Sequence, residues 1–240
     1  MEHQDLTHHW SRQFNAELEA VRNRVLAMGG LVEEQLRRAV EALVRGDSAL
    51  GEQVVRDDHK VNRLEVAIDE DCSRIIARRQ PTAGDLRLVM AVVKTITDLE
   101  RIGDEAEKIG HLATRLAGQE RPVDSYQALQ HLADLVAGML HQALDTFARM
   151  DAEEAMRIVR QDQEVDREYD SVSRQGITLM MEDPRSIRRV LDTLWAARAL
   201  ERIGDHAKNI CEYVVYMVRG KDIRHVDLDD AERQVSNASE

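Results

Sequence analysis

Aromatic residues make up only 3% of this 240-residue chain, and just three prolines occur, Pro81, Pro122 and Pro184. Strands favour aromatic and β-branched side chains, while proline disrupts helix interiors, so both shortages leave long stretches open to helix. Two cysteines, Cys72 and Cys211, lie far apart, with no CxxC or Cys/His zinc spacing. They read as reduced, buried apolar residues of a cytosolic protein. The longest apolar run near the middle, VMAVV at 89–93, is far short of the roughly 20 residues that span a bilayer. The N-terminal MEHQDLTHHW lacks the charged-then-apolar pattern of a signal peptide. Basic charge is also in deficit: 33 Lys and Arg face 45 Asp and Glu, a net −12. That argues against a nucleic-acid binder and against an electrostatic dock on anionic lipid. It is compatible with cations or a basic protein surface as partners. A soluble protein with no membrane segment of its own is expected.

What the chain does have is helical periodicity. Val89, Val92, Ile96, Leu99, Ile102, Ala106 and Ile109 recur at steps of three or four, and so do Val190, Leu194, Ala197, Leu200, Ile203, Ala207 and Ile210. A third such pattern runs from Phe14 to Leu43. Each proline falls where a pattern breaks, in RRQPTAGD (78–85), GQERPVDS (118–125) and MEDPRS (181–186). The halves also repeat. VVRDDHKVNRLEVAIDED (54–71) resembles IVRQDQEVDREYDSVSRQ (158–175) at an offset of 104, while LERIGD recurs at an offset of 101. The difference predicts a longer loop around Pro81 than around Pro184. The pattern predicts an all-α chain of six long helices over 6–45, 47–78, 83–118, 124–150, 152–182 and 185–220. These form two tandem antiparallel three-helix bundles, 1–120 and 121–220, followed by a flexible tail at 221–240. MGG at 28–30 reads as a kink in the first helix rather than a phosphate loop.

The repeated segments LERIGDEAEKI (99–109) and LERIGDHAKNI (200–210) carry the candidate chemistry. Each places Glu four residues before Asp: Glu100/Asp104 and Glu201/Asp205. Like charges at this spacing repel by about 0.2–0.5 kcal/mol on a helix. Glu100 and Asp104 lie roughly 100° and 140° round from Leu99, flanking the apolar stripe, with Thr97, Lys108 and His111 on the same flank. Glu201 and Asp205 share theirs with Asn209 and Glu212. Gly103 and Gly204 cost about 1 kcal/mol each against Ala, yet both copies keep them. A glycine there lets another helix, a backbone or an ion come close. A hard cation would relieve the repulsion, with further ligands from the preceding helix: Asp58 and Asn62 in the first half, Asp162 and Asp166 in the second. Glu65 and Asp69 continue that face. Oxygen ligation favours Mg, Mn, Ca or Fe, and zinc would want histidine, for which His111 is the one well placed. The competing reading is a solvated acidic edge paired with Arg101 and Arg202.

Other signals are weak. His206 reads as a surface residue, Trp195 as core, and His8–His9 as a frayed or helix-starting terminus. No GxxxxGK[ST], GxSxG or HExxH occurs. A carboxylate-ligated metalloenzyme, oxidase or phosphohydrolase, is the alternative function. Against the oxidase, none of the nine histidines has Glu three residues before it.

At the two LERIGD segments the chain resembles the PhoU family of bacterial phosphate-uptake regulators. The resemblance runs almost end to end, through HHWSRQFNAELEAVRNRVLAMGGLVEEQL (8–36), VNRLEVAIDEDCSRIIARRQPTAGDLRLVM (61–90), FARMDAEEAMRIVRQDQEVDREYD (147–170) and GKDIRHV (220–226). It implies a non-enzymatic protein at the inner face of the cytoplasmic membrane, beside the Pst phosphate ABC transporter and the PhoR sensor kinase. Such proteins hold PhoR off when phosphate is plentiful and restrain uptake. The family's E(D)xxxD motifs bind metals, as iron or zinc clusters or as magnesium or manganese. They match Glu100/Asp104 and Glu201/Asp205. Carry-over to Asp58, Asn62, Asp162 and Asp166 is looser, and Asn62, in place of a carboxylate, makes unequal sites the expectation. A cytoplasmic homodimer is expected, peripheral to the inner membrane through its partners, with no nucleic acid bound and no direct membrane insertion.

Overall fold

A computed structural model describes residues 2–120, 123–230 and 233, with side chains from Gln13 onward except at 121–125. The helices are α1 (Glu2–Arg45), α2 (Ser48–Asp57), α3 (His59–Arg79), α4 (Ala83–Leu116), α5 (Val123–Arg149), α6 (Ala152–Glu182) and α7 (Ile187–Arg219). A 3-10 turn, Pro184–Ser186, precedes α7. No strand occurs among the described residues. The all-α tandem bundle expected from the sequence is what forms: α1, α2–α3 and α4, then α5, α6 and α7.

The two halves use the same device to reverse the chain. Gly46 (φ 71°) and Met150 (φ 57°) end α1 and α5 in the left-handed region. The next N–H reaches back, from Asp47 to the Ala42 carbonyl at 3.0 Å and from Asp151 to the Thr146 carbonyl at 3.1 Å. This is a Schellman ending. The same aspartates then cap the following helix, accepting from the Leu50 and Glu154 N–H groups at 3.0 Å each. Glycine adopts this backbone freely, whereas Met150 bears a penalty of about 1–2 kcal/mol.

The helix expected over 47–78 is divided at Asp58, whereas α6 passes unbroken through Asp162. Asp58 keeps helical dihedrals (φ −54°, ψ −39°). Its carbonyl accepts from Val61 at 2.9 Å more closely than from Asn62 at 3.4 Å, a local 3-10 tightening that interrupts the ladder. The connections are residues 80–82 and 183–186, so the loop near Pro81 is not the longer one. The extra residues of the first half lie instead at the start of α4, ahead of Glu100.

Packing explains why these segments need each other. Ile96, Leu99, Ile102 and Ile109 of α4 and Leu200, Ile203, Ala207 and Ile210 of α7 are at most 1% exposed. α4 packs on α7 and α1 on α5, so both bundles share one apolar core. MGG, expected as a kink, lies within unbroken α1. There a Cβ on Gly29 would come 2.5 Å from Leu144 Cδ2, so the glycine admits α5.

Three expectations are corrected here. His206 is buried, 7% exposed, with Nδ1 2.7 Å from Asp98 Oδ1 across the seam between the bundles. Its angular offset from the acidic flank turns it toward α4 rather than toward water. Trp195, expected in the core, is 56% exposed, because the α4–α7 seam opens beside it. Both cysteines are buried. Beyond α7, Ile223 is 4% exposed and Asp229 accepts from Arg160 at 2.8 Å, so the tail's first part packs rather than frays. No helix among the described residues is long and apolar enough to cross a membrane.

Candidate metal centre

In the first bundle the interrupted ladder at Asp58 sets that residue, 6% exposed, against the carboxylate flank of α4. One carboxylate oxygen each from Asp58, Asp104 and Glu107 lies within 4.8 Å of the others. Gly103 makes the approach possible: a Cβ there would meet Asp58 Oδ1 at 3.3 Å and Gln35 Oε1 at 3.4 Å. Gln35 Nε2 donates to Asp58 Oδ1 at 2.9 Å and Asn62 Nδ2 to Asp58 Oδ2 at 3.0 Å. The other ends of those amides, Gln35 Oε1 and Asn62 Oδ1, are buried with no partner among the described residues.

Burial and mutual repulsion hold Glu65, Glu100, Asp104 and Glu107 above the ordinary carboxylate range. Burial raises Asp104 and Glu107, and Asp58 adds to both. Burial raises Glu100, followed by the charges of Asp104, Glu65 and Asp58. Glu65 is raised by burial and by Asp69 and Asp104. Lys108 is engaged on Glu105 at 3.0 Å, and Arg38 and Lys60 on Asp57 at 3.2 and 2.6 Å, while the charge of Arg101 offsets part of the repulsion at Glu100 and Glu65. His111 Nε2 stands 3.8 Å from Glu107 Oε1. Several carboxylates and two buried amide oxygens without a partner among the described residues form a donor set that fits a hard cation.

The second bundle repeats the frame with a different filling. Asp162 is 4% exposed and Glu201 8%. Burial raises Asp205, Asp166 and Glu201, with Asp162 or Asp205 the next cause in each. Here, however, Lys208 Nζ donates to Asp162 Oδ2 at 2.7 Å, and Arg198 pairs with Glu201. Glu201 Oε2 remains buried without a partner among the described residues. Gly204 sits against Val165, 3.2 Å from a Cβ built on it, rather than against a carboxylate.

Sequence reasoning missed Glu107. It lies one turn beyond Asp104, which was the available signal, but the search followed the repeat, and the repeat places Lys208 there. It also missed Glu105, 3% exposed, which holds Lys108 and also Arg202 at 2.8 Å. One flank residue leaves the site, since Asn209 donates to Asp98 at 3.2 Å, while Thr97 donates to the Val93 carbonyl at 3.1 Å and stays within reach of Glu65. Asp69 is exposed.

The PhoU domain model matches residues 25–113 and 129–214, one match in each bundle. The chain belongs to the PhoU family. The Phosphate-specific transport system accessory protein PhoU of Escherichia coli K12 is 51% identical over 234 residues, 97% of this chain and 96% of that one. The PhoU homolog of Pseudomonas putida is 53% identical over 225 residues, 94% of this chain and 88% of its own. The crystal structure of PhoU from Pseudomonas aeruginosa matches with a TM-score of 0.84 at 52% identity, over 87% of this chain and 100% of that one. The PhoU regulatory protein of Streptococcus pneumoniae matches at 0.81 and 31% identity, over 87% of this chain and 98% of its own. The PhoU frame therefore persists when about two thirds of the residues differ.

Proposed function

We propose that this chain is a non-enzymatic accessory protein of the phosphate-specific transport system. It represses phosphate uptake and the phosphate-starvation response as an adaptor between the Pst transporter and the PhoR kinase. It acts in the cytoplasm, at the inner membrane through those partners, and works as a homodimer. Near-complete coverage at about half identity by proteins named for this accessory role supports the reading. So do the words transport system regulatory protein attached to a structural neighbour.

The adaptor holds a metal cation on its acidic faces, and the observation that carries this is the convergence of Asp58, Asp104 and Glu107. Mg, Mn or Fe suits the oxygen donors, and Zn would draw on His111. Glu100, with Asn62 and Gln35 turned over, completes the first face. Asp162, Asp166, Glu201 and Asp205 form the second, where Lys208 already supplies a cation, so the first face binds more tightly. The bound ion fixes the angle between the motif helix and its neighbour, and that angle sets the surface offered to partners.

The test is a chromosomal Glu100/Asp104/Glu201/Asp205→Ala variant scored for metal content and for a phosphate-starvation reporter in high phosphate. Loss of metal together with derepression is expected. A metal-free variant that represses normally would make the ion incidental to signalling.

A further inference from the structure

α4 and α7 run antiparallel, and the internal repeat relates residue n of α4 to residue n + 101 of α7 about a pseudo-two-fold axis between them. The ring contacts obey that axis. Lys94 Nζ lies 5.4 Å from the ring centroids of both Tyr213 and Tyr216. Arg115 lies 5.7 Å from that of Trp195. Trp195 stands in the place of Lys94, and Arg115 in that of Tyr216, so ring and cation have exchanged repeat-related positions, with both cations on α4 and both rings on α7. The seam thus has two comparable ends, and they differ in what lies on them.

At the Lys94 end the chain covers its own seam. Ile223 is 4% exposed and joins the core. Asp222 is paired with Arg224 and feels the charge of Lys94. Arg224 in turn feels Glu212 and Tyr213. One aliphatic side chain flanked by charge thus fills that end.

At the Trp195 end no described residue takes that place. Trp195 is 56% exposed beside a groove of about 440 Å³ lined by Lys108, Leu112, Arg115, Arg198 and Arg202. Leu112 and Ala199, each 4% exposed, give it an apolar floor. Lys108 and Arg202 share a single oxygen of buried Glu105, at 3.0 and 2.8 Å, two cations to one carboxylate. His111 adds a further nitrogen donor. Arg115 pairs with Asp192 at 3.1 Å and Arg198 with Glu201 at the rim. On a chain of net charge −12 this is a locally cationic groove. A short acidic segment complements that local charge.

We propose that the Trp195 end of the α4–α7 groove docks an extended acidic segment of a partner protein bearing an aliphatic side chain. The other end shares the aliphatic part of this chemistry through Ile223, though there Arg224 pairs with Asp222. The aliphatic group seats on Leu112 and Ala199 beside the indole, and the acidic groups meet Arg115, Lys108 and Arg202.

The test is fluorescence anisotropy of a labelled synthetic peptide, isoleucine flanked by aspartates and glutamates, titrated with the full chain. Saturable binding is expected, weakened at least tenfold by Trp195→Ala, by Arg115→Glu, or by serine in place of the peptide's isoleucine. Thermal melts of both variants separate lost binding from lost folding, and exposed Trp195 can be removed without opening the core. The proposal is overturned if the wild type ignores the peptide, or if folded Trp195→Ala binds it as tightly. It is equally overturned if phosphatidylglycerol vesicles bind at Trp195 and the peptide does not, or if Trp195→Ala abolishes self-association while peptide binding is absent.

Discussion

The first and second bundles carry the same Glu-Arg-Ile-Gly-Asp segment in opposite electrical settings. In the first, Asp58, Asp104 and Glu107 crowd together while nearby Lys108, Arg38 and Lys60 are held by other acids. In the second, Lys208 lies on Asp162 and Arg198 on Glu201. The repeated motif builds the frame, and the residue one turn after its aspartate, Glu107 or Lys208, sets the charge. On the proposed reading, one face takes up a cation and the other brings its own.

The comparison breaks most sharply with Glu107→Lys, which gives the first face the second's solution. Metal affinity measured by calorimetry should fall more than about 100-fold, since even changes behind a ligand cost 10–100-fold. Unchanged affinity would remove Glu107 from the site. The reverse exchange, Lys208→Glu, should create a second tight site. At a metal concentration of 100 times its Kd, that site adds about 2.7 kcal/mol of stability, read as a metal-dependent rise in melting temperature. Without metal the same variant should be less stable than wild type.

Backbone approach offers a smaller contrast. A Cβ on Gly51 of α2 would lie 2.7 Å from the Gly110 carbonyl oxygen of α4. The repeat places Ala155 and Cys211 at the corresponding positions of the second bundle, so that crossing is wider. Gly51→Ala should therefore destabilise by about 1–3 kcal/mol through overpacking. Ala155, fully buried, already carries the Cβ that Gly51 lacks. A urea midpoint left unmoved by Gly51→Ala would mean the first crossing is no tighter than the second.

The smallest effect concerns pH. Burial pushes Glu212 up to about 7 from the usual 4.5, whereas its first-bundle counterpart His111 is exposed. A carboxyl raised by folding stabilises when protonated, so its contribution is whole below about 4.5 and is lost as pH rises toward 7. Glu212→Gln should flatten the decline of metal-free stability across that window. An unaltered profile in Glu212→Gln would assign the decline to the other raised carboxyls.

Much of this was legible beforehand, because periodicity and a repeat depend on local spacing. The helices, the two bundles and the carboxylate flanks all follow from steps of three and four residues. The break at Asp58 was not legible, since its dihedrals remain helical and no Pro or Gly marks it. Glu107 and Lys208 were hidden by the repeat itself: alignment rewards what the halves share, and the sites differ where they do not. His206 and Trp195 were misplaced for one reason. Helical spacing locates a face, but the seam between α4 and α7 decides which faces meet protein and which meet water.

The account stands on the first face holding a cation. The direct measurement is metal per chain by mass spectrometry, on untagged protein purified without chelators, beside an Asp58→Asn/Asp104→Asn/Glu107→Gln variant. The account predicts metal in the wild type and its loss from the folded variant, with Asp162, Asp166, Glu201 and Asp205 untouched. Equal metal in both, or none in a wild type that represses, would contradict it.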